Sequence, residues 1–178
     1  FRVDTGVLVH TIDNPNDYGT SASDFFGISV AISEKYAVVG AYQEDEAAAG
    51  ESGKAYIFDV TTGALFHTLD NPNAYNTPVG DLFGYTVAIT GNHVAVTAYS
   101  EDDASGNQSG KVYIFNAASG ELIRTLDNPN AYGTSATDRF GATLSMSGNY
   151  LIAGANLEDD ANGTSAGKAY IFNITTGA

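Results

Sequence analysis

The chain has 178 residues, 43% of them hydrophobic, 16% charged and none cysteine, and a formal net charge of −14. This hydrophobic content suits a chain that folds in water, and no apolar run approaches the ~20 residues of a membrane-crossing helix. With 21 acidic residues against seven basic ones, the Coulomb term opposes binding to phosphate backbones and anionic lipids, so no nucleic acid partner and no membrane span is expected. Disulfides, thiolate nucleophiles and cysteine-ligated zinc are excluded. The opening Phe1-Arg2-Val3-Asp4-Thr5-Gly6 carries neither an initiating Met nor a targeting pattern, and the natural N-terminus is expected to lie upstream.

In chain order, residues 7–12 form a first apolar, β-branched run, labelled d, which leads into Asp13-Asn14-Pro15-Asn16. After about fifteen residues rich in Asn, Gly, Ser and Thr come residues 28–33 (a), which alternate as a half-buried strand does, and residues 36–42 (b), nearly all apolar. Only Ser33-Glu34-Lys35 separates a from b, which is hairpin chemistry. About eleven residues further on, residues 54–60 form a fourth β-rich run (c), and Thr61-Thr62-Gly63 is a tight turn into the next d. The whole pattern then returns twice at an offset of 57, for instance in Asp70-Asn71-Pro72-Asn73 and Asp127-Asn128-Pro129-Asn130. Residues 5–61, 62–118 and 119–175 align without a gap, and 21 of 57 columns are identical in all three, so residues 1–178 read as one repeat domain of three units. No segment keeps a helical period.

Four short strands repeated in this way predict an all-β, β-propeller-type fold of three four-stranded antiparallel blades, either part of a propeller or an open array, because one small sheet buries its faces only against neighbours. The residues also carry a resemblance. Asp24-x-Phe26-Gly27 and its equivalents, followed after one strand by Val39-Gly40-Ala41, Val96-Thr97-Ala98 or Ala153-Gly154-Ala155, resemble the FG-GAP repeat of integrin α-subunit propellers. The likeness is closer to bacterial secreted FG-GAP-type repeats, and it covers essentially the whole chain. It implies an extracellular or cell-surface protein. The integrin calcium loop Asp-x-Asp-x-Asp-Gly between these elements is replaced by a tight turn, so that site does not carry over. The proline of the GAP element is also missing.

In an up-and-down sheet the d-to-a and b-to-c loops emerge at one end. They hold 17 of the 21 acidic residues, which makes that end an anionic face for cations or for a protein or glycan ligand. Within it, the oxygen ligands at alternate positions in Glu101, Asp103 and Ser105, followed by Gly106, resemble the first half of a calcium loop, as do Glu158, Asp160 and Asn162 before Gly163. These six residues are the candidate Ca²⁺ ligands. Asp24, Asp81 and Asp138 are expected to lock a turn by accepting backbone N–H groups, Phe26, Phe83 and Phe140 to wedge between blades, and Lys54, Lys111 and Lys168 to pair with nearby acids.

No catalytic residues are assigned. Every prominent polar group occurs three times, as scaffold does, whereas an active site is a single constellation. The histidines are strand or turn residues, since His10 and His67 become Arg124 in the third unit and His93 has no partner. The sequons at Asn107, Asn162 and Asn173 fit a secreted setting. The expected role is therefore adhesion or structural assembly. The alternatives are a glycan-binding propeller, for which Tyr18, Tyr75 and Tyr132 are the exposed aromatic candidates, and a scaffold fragment of a larger secreted enzyme. Residues 7–12 lack their own a, b and c strands, and residues 168–174 lack their d strand. The first is therefore expected to complete the sheet of the second, between copies in a ring or filament, or within further repeats of a longer parent chain.

Overall fold

Eleven strands and no helix form among the described residues of the computed structural model, which are 5–16, 22–45, 50–72, 77–104, 106–130 and 133–177. No helix among them is long and apolar enough to cross a membrane. The first sheet is β1 (Val30–Ile32), β2 (Tyr36–Ala41), β3 (Lys54–Asp59) and β4 (Leu65–Asp70) in that order. The second is β5 (Phe83–Thr90), β6 (His93–Ala98), β7 (Lys111–Asn116) and β8 (Leu122–Asp127), and the third is β9 (Phe140–Ser147), β10 (Tyr150–Ala155) and β11 (Lys168–Asn173). Every pairing is antiparallel. Each four-stranded blade takes a, b and c from one unit and its outer d strand from the next.

As expected from residues 168–174 lacking a d strand, the third blade shows three strands among the described residues. One expectation is corrected here. Residues 7–12 are not a strand, and Val7, Leu8 and Val9 are about half exposed. Their β-branched residues favour extended backbone, but a ladder needs a partner for its N–H and C=O groups, and no strand pairs with them among the described residues. β1 is similarly short. In the later blades the inner strand begins where Phe83 N–H and Phe140 N–H donate to Ser52 O (3.1 Å) and Ser109 O (2.8 Å) of the preceding blade, and among the described residues Phe26 N–H has no such bond.

The alternation of each strand sends one row of side chains to either neighbour, so the core lies between blades. Tyr36, Val38, Ala55, Ile57 and Leu69 of the first sheet meet Phe83, Val87, Val94, Val96, Tyr113 and Phe115 of the second. Ala95, Val112, Ile114 and Leu126 of the second meet Phe140, Leu144, Leu151, Ala153, Tyr170 and Phe172 of the third. The three signature phenylalanines occupy equivalent places. Phe83 lies 6.0 Å from the rings of Tyr113 and Phe115, Phe140 lies 6.0 and 5.8 Å from Tyr170 and Phe172, and Phe26 lies 5.9 and 6.2 Å from Tyr56 and Phe58. Phe83 and Phe140 are fully buried, whereas Phe26 is half-buried, since no sheet covers its side of the first blade.

Glycine at the signature position is required by two separate constraints. Gly84 has φ of 90°, and a Cβ there would sit 2.1 Å from Lys54 O of the preceding blade. Gly27 shares the φ of 90° but faces open space.

Candidate functional site

The end of the molecule formed by the long loops places the predicted site residues in three different settings. Glu101 and Glu158, expected as loop ligands, are fully buried together with their equivalent Glu44. Each carboxylate points inward to a tyrosine of the adjacent c strand. Tyr113 Oη donates to Glu101 Oε1 at 2.8 Å and Oε2 at 2.7 Å, Tyr170 Oη donates to Glu158 Oε1 at 2.5 Å, and Tyr56 makes the same bond to Glu44. Glu and Tyr are identical in all three units, and that shared invariance, read as a pair, was the available signal.

Asp103 and Asp160 close their own loops. Gly106 N–H donates to Asp103 Oδ1 at 2.8 Å, and Asn162 N–H and Gly163 N–H donate to Asp160 Oδ1 at 2.7 and 3.0 Å. Ser135 Oγ, from the following unit, also donates to both Asp103 oxygens at 3.0 Å. Asn162 is exposed, and Ser105 lies outside the described residues. Glu101 and Asp103 thus face different ways, as do Glu158 and Asp160, and no group of three metal-ligating side chains forms among the described residues.

Asp24, Asp81 and Asp138 are buried at the start of the inner strands. The side chain that reaches each is the Asn of its unit's Asp-Asn-Pro-Asn turn, rather than the backbone donors expected. Asn14, Asn71 and Asn128 Nδ2 donate to Asp24, Asp81 and Asp138 Oδ2 at 2.8, 2.9 and 2.8 Å. Burial pushes the Asp81 carboxyl up to about 6, the Asn71 bond opposes the shift, Asp102 adds to it and Lys111 opposes it. Burial raises Asp24 and Asp138 in the same way.

The lysines pair as expected, but not uniformly. Lys54 and Lys111 each bond the Asp that ends the outer strand of their blade, Asp70 and Asp127, the latter at 2.5 Å. Lys168, which has no outer strand beside it, turns instead to Glu158 Oε1 at 2.9 Å and to Asp159 O. Tyr18, Tyr75 and Tyr132 lie outside the described residues, as do Asp17 and Glu46.

Two sets of exposed apolar side chains lie at the ends of the blade stack. At one end, Val30 and Ile32 are 67% and 70% exposed and border a cleft of about 610 Å³ lined also by His10, Ile12, Phe26 and Val39. At the other, Tyr150, Ile152 and Ile171 are 59%, 43% and 68% exposed. The 57-residue offset maps Val30 and Ile32 onto Val87 and Ile89, and maps Tyr150, Ile152 and Ile171 back onto Tyr36, Val38 and Ile57 with two offsets. In this chain those two sets of residues pack against each other. The open ends are therefore the two halves of an interface that the molecule already contains.

A family model for the FG-GAP repeat matches residues 17–58, 74–115 and 130–172, one match in each unit. The chain belongs to the FG-GAP repeat family. Among solved structures, the computationally designed Ika4 protein is similar to this FG-GAP repeat chain at 17% identity and a TM-score of 0.53, covering 88% of this chain and 70% of that one. The computationally designed Ika8 protein is similar at 17% identity and a TM-score of 0.51, covering 86% of this chain and 34% of its own. No curated protein sequence matches. These likenesses establish the family and a propeller-type fold.

Proposed function

We propose that this FG-GAP repeat protein is a non-catalytic, extracellular module of adhesion or structural assembly whose copies associate head to tail through the ends of the blade stack. The single observation that carries this reading is the correspondence of the two exposed faces to the two sides of the buried contact between the first and second sheets. Burying a Val, Ile or Tyr side chain that is now half to two-thirds exposed contributes about 1 kcal/mol or more for each. Such a contact is heterologous, so it closes into a ring if the rotation allows and extends as a filament if it does not. The extracellular setting rests on the family and on the sequons. The non-catalytic reading rests on the threefold recurrence of the Glu–Tyr, Asn–Asp and Lys–acid pairs, which join segments within a blade or, for Asn–Asp, across a blade junction.

Analytical ultracentrifugation across a concentration series tests the proposal. Wild type is expected to form multiples of the 178-residue chain, and Val30→Asp, which alters a side chain exposed in the single chain, is expected to remain folded and monomeric. A wild type that stays monomeric at every concentration overturns the reading.

Glycan binding is a second reading, favoured by a partly exposed aromatic row at the long-loop end. Phe25 lies 5.3 Å from Tyr42, Tyr42 lies 5.4 Å from Tyr85, and Tyr85 lies 4.1 Å from Tyr99, with the Arg139 guanidinium 5.8 Å from the last ring. The row breaks the repeat, since Asn156 stands where Tyr42 and Tyr99 stand. A glycan array decides between this reading and assembly alone.

A further inference from the structure

Resting on the head-to-tail reading, we infer that residues 8–13 of one copy are the missing outer strand of the third blade of another, paired along β11 with Asp13 bonded to Lys168 across the contact. The segment is already held as an outer strand is held. In the complete blades, His67 Nε2 of β4 donates to Ala118 O, 3.0 Å away in the turn of the next blade, and Arg124 Nη2 of β8 donates to Thr175 O at 3.3 Å. His10 makes the same reach to Thr61 O at 3.0 Å, one blade earlier.

The apolar contacts repeat as well. Leu69 of β4 joins the core between the first and second sheets, and Leu126 of β8 joins the core between the second and third. Ile12 packs against Val39, Ala41, Tyr56 and Phe58 on the open side of the first sheet. Residues 8–13 therefore lie where the outer strand of a preceding blade belongs, with no other strand of such a blade beside them among the described residues. At the opposite end, β11 pairs only with β10, and its far edge is free of any strand among the described residues.

The sequence of the segment fits that edge. Leu-Val-His-Thr-Ile-Asp at 8–13 parallels Leu-Phe-His-Thr-Leu-Asp at 65–70 and Leu-Ile-Arg-Thr-Leu-Asp at 122–127. The pairing of Lys54 with Asp70 and of Lys111 with Asp127, carried on by 57 residues, sets Lys168 opposite Asp13 and Ala169 opposite Ile12. Lys168 is also the lysine whose ion pair differs. Its side chain is 23% exposed against 9% and 5% for its equivalents, and its partner Glu158 comes from its own b-to-c loop. Asp13 is exposed. One docking event then completes the blade, covers both apolar ends and gives Lys168 the acid that its equivalents already have. The occupant is a second copy of this chain, since its residues 8–13 parallel the outer strands that β3 and β7 already pair with and its Asp13 matches Asp70 and Asp127.

Charge exchange tests this. Asp13→Lys alone and Lys168→Asp alone each set like charges against each other in a homotypic contact and are expected to weaken assembly about tenfold or more. An equimolar mixture of the two restores opposite charges at every contact, in alternating order, and is expected to regain wild-type assembly. Since the chain has no cysteine, Asp13→Cys combined with Lys168→Cys gives an independent readout. Residues directly opposite on antiparallel strands lie ~4.5–5.5 Å apart, within disulfide reach, so a ladder of covalent multimers is expected on a non-reducing gel. If both charge variants assemble as wild type does and no ladder forms, while Val30→Asp still abolishes assembly, the strand donation is wrong and face stacking stands. If wild type is monomeric, both are wrong.

Discussion

Replacing Asp81 by Asn isolates the electrostatic consequence of burying a carboxylate at the blade junction. Asp81 is 5% exposed, and burial raises its carboxyl from 3.8 to about 6, against the opposing bond from Asn71. The folded chain thus holds this proton more tightly than the unfolded chain does. The contribution to stability is fully present below about pH 4, declines as pH rises, and is lost above about pH 6. At ~1.36 kcal/mol for each pH unit, the difference amounts to at most about 3 kcal/mol, and water at the loop face screens the charge and lowers it. An amide at this position is neutral at every pH and keeps a carbonyl oxygen for Asn71, so the substitution removes the ionisation cost and retains the hydrogen bond. With an unfolding entropy of ~2.1 cal/mol/K per residue, the variant is expected to melt up to about 8 °C above wild type at pH 7.5 and within about 1 °C of it at pH 4. Thermal melts by circular dichroism over that range, at fixed ionic strength, provide the measurement. A difference that is independent of pH, or a variant less stable than wild type at pH 7.5, would refute the reasoning.

Burial raises Asp24 and Asp138 in the same direction, so wild type itself should gain thermal stability between pH 7.5 and pH 5, and a steady loss over that interval in a melting series would contradict the assignment. Tyr113→Phe removes the hydroxyl that donates to both oxygens of the buried Glu101 carboxylate and should cost about 1–3 kcal/mol in urea denaturation, whereas Tyr150→Phe, at an exposed position, should cost little. Gly84→Ala must displace Lys54 O and should unfold or severely destabilise the chain, while Gly27→Ala carries only the strain of positive φ, about 1 kcal/mol, so comparable melting temperatures would overturn the packing argument. Asp160→Ala loses two loop-closing bonds and should lower stability by about 1 kcal/mol equally with Ca²⁺ or with chelator. A loss seen only with Ca²⁺ would instead show that a metal holds that loop.

The period of 57 carried most of the architecture because a propeller blade repeats its physics as well as its residues. Phe83 and Phe140 could be placed in equivalent cores, and Lys54 and Lys111 beside acids, without coordinates. The direction of a side chain at a loop entrance was harder to read. Glu101 and Glu158 stand beside runs of Asp and look like members of an acidic loop, yet the chain leaving the b strand carries them inward under the c-strand tyrosines. The carboxylates of Asp24, Asp81 and Asp138 were legible as turn locks, but their partner, an Asn ten residues earlier, depends on how a long loop folds back. Residues 7–12 have strand composition and no ladder, because composition specifies extended backbone and a strand also requires a neighbour.

Since each four-stranded blade takes its outer strand from the following unit, inserting or removing whole units of 57 residues within such a chain leaves its two ends unchanged. A duplication adds one interior contact and creates no new edge, and a deletion removes one contact and opens none. Under the proposed head-to-tail assembly, chains of different unit number would still match one another at their ends. A cut within a unit, by contrast, leaves a sheet that no other copy matches.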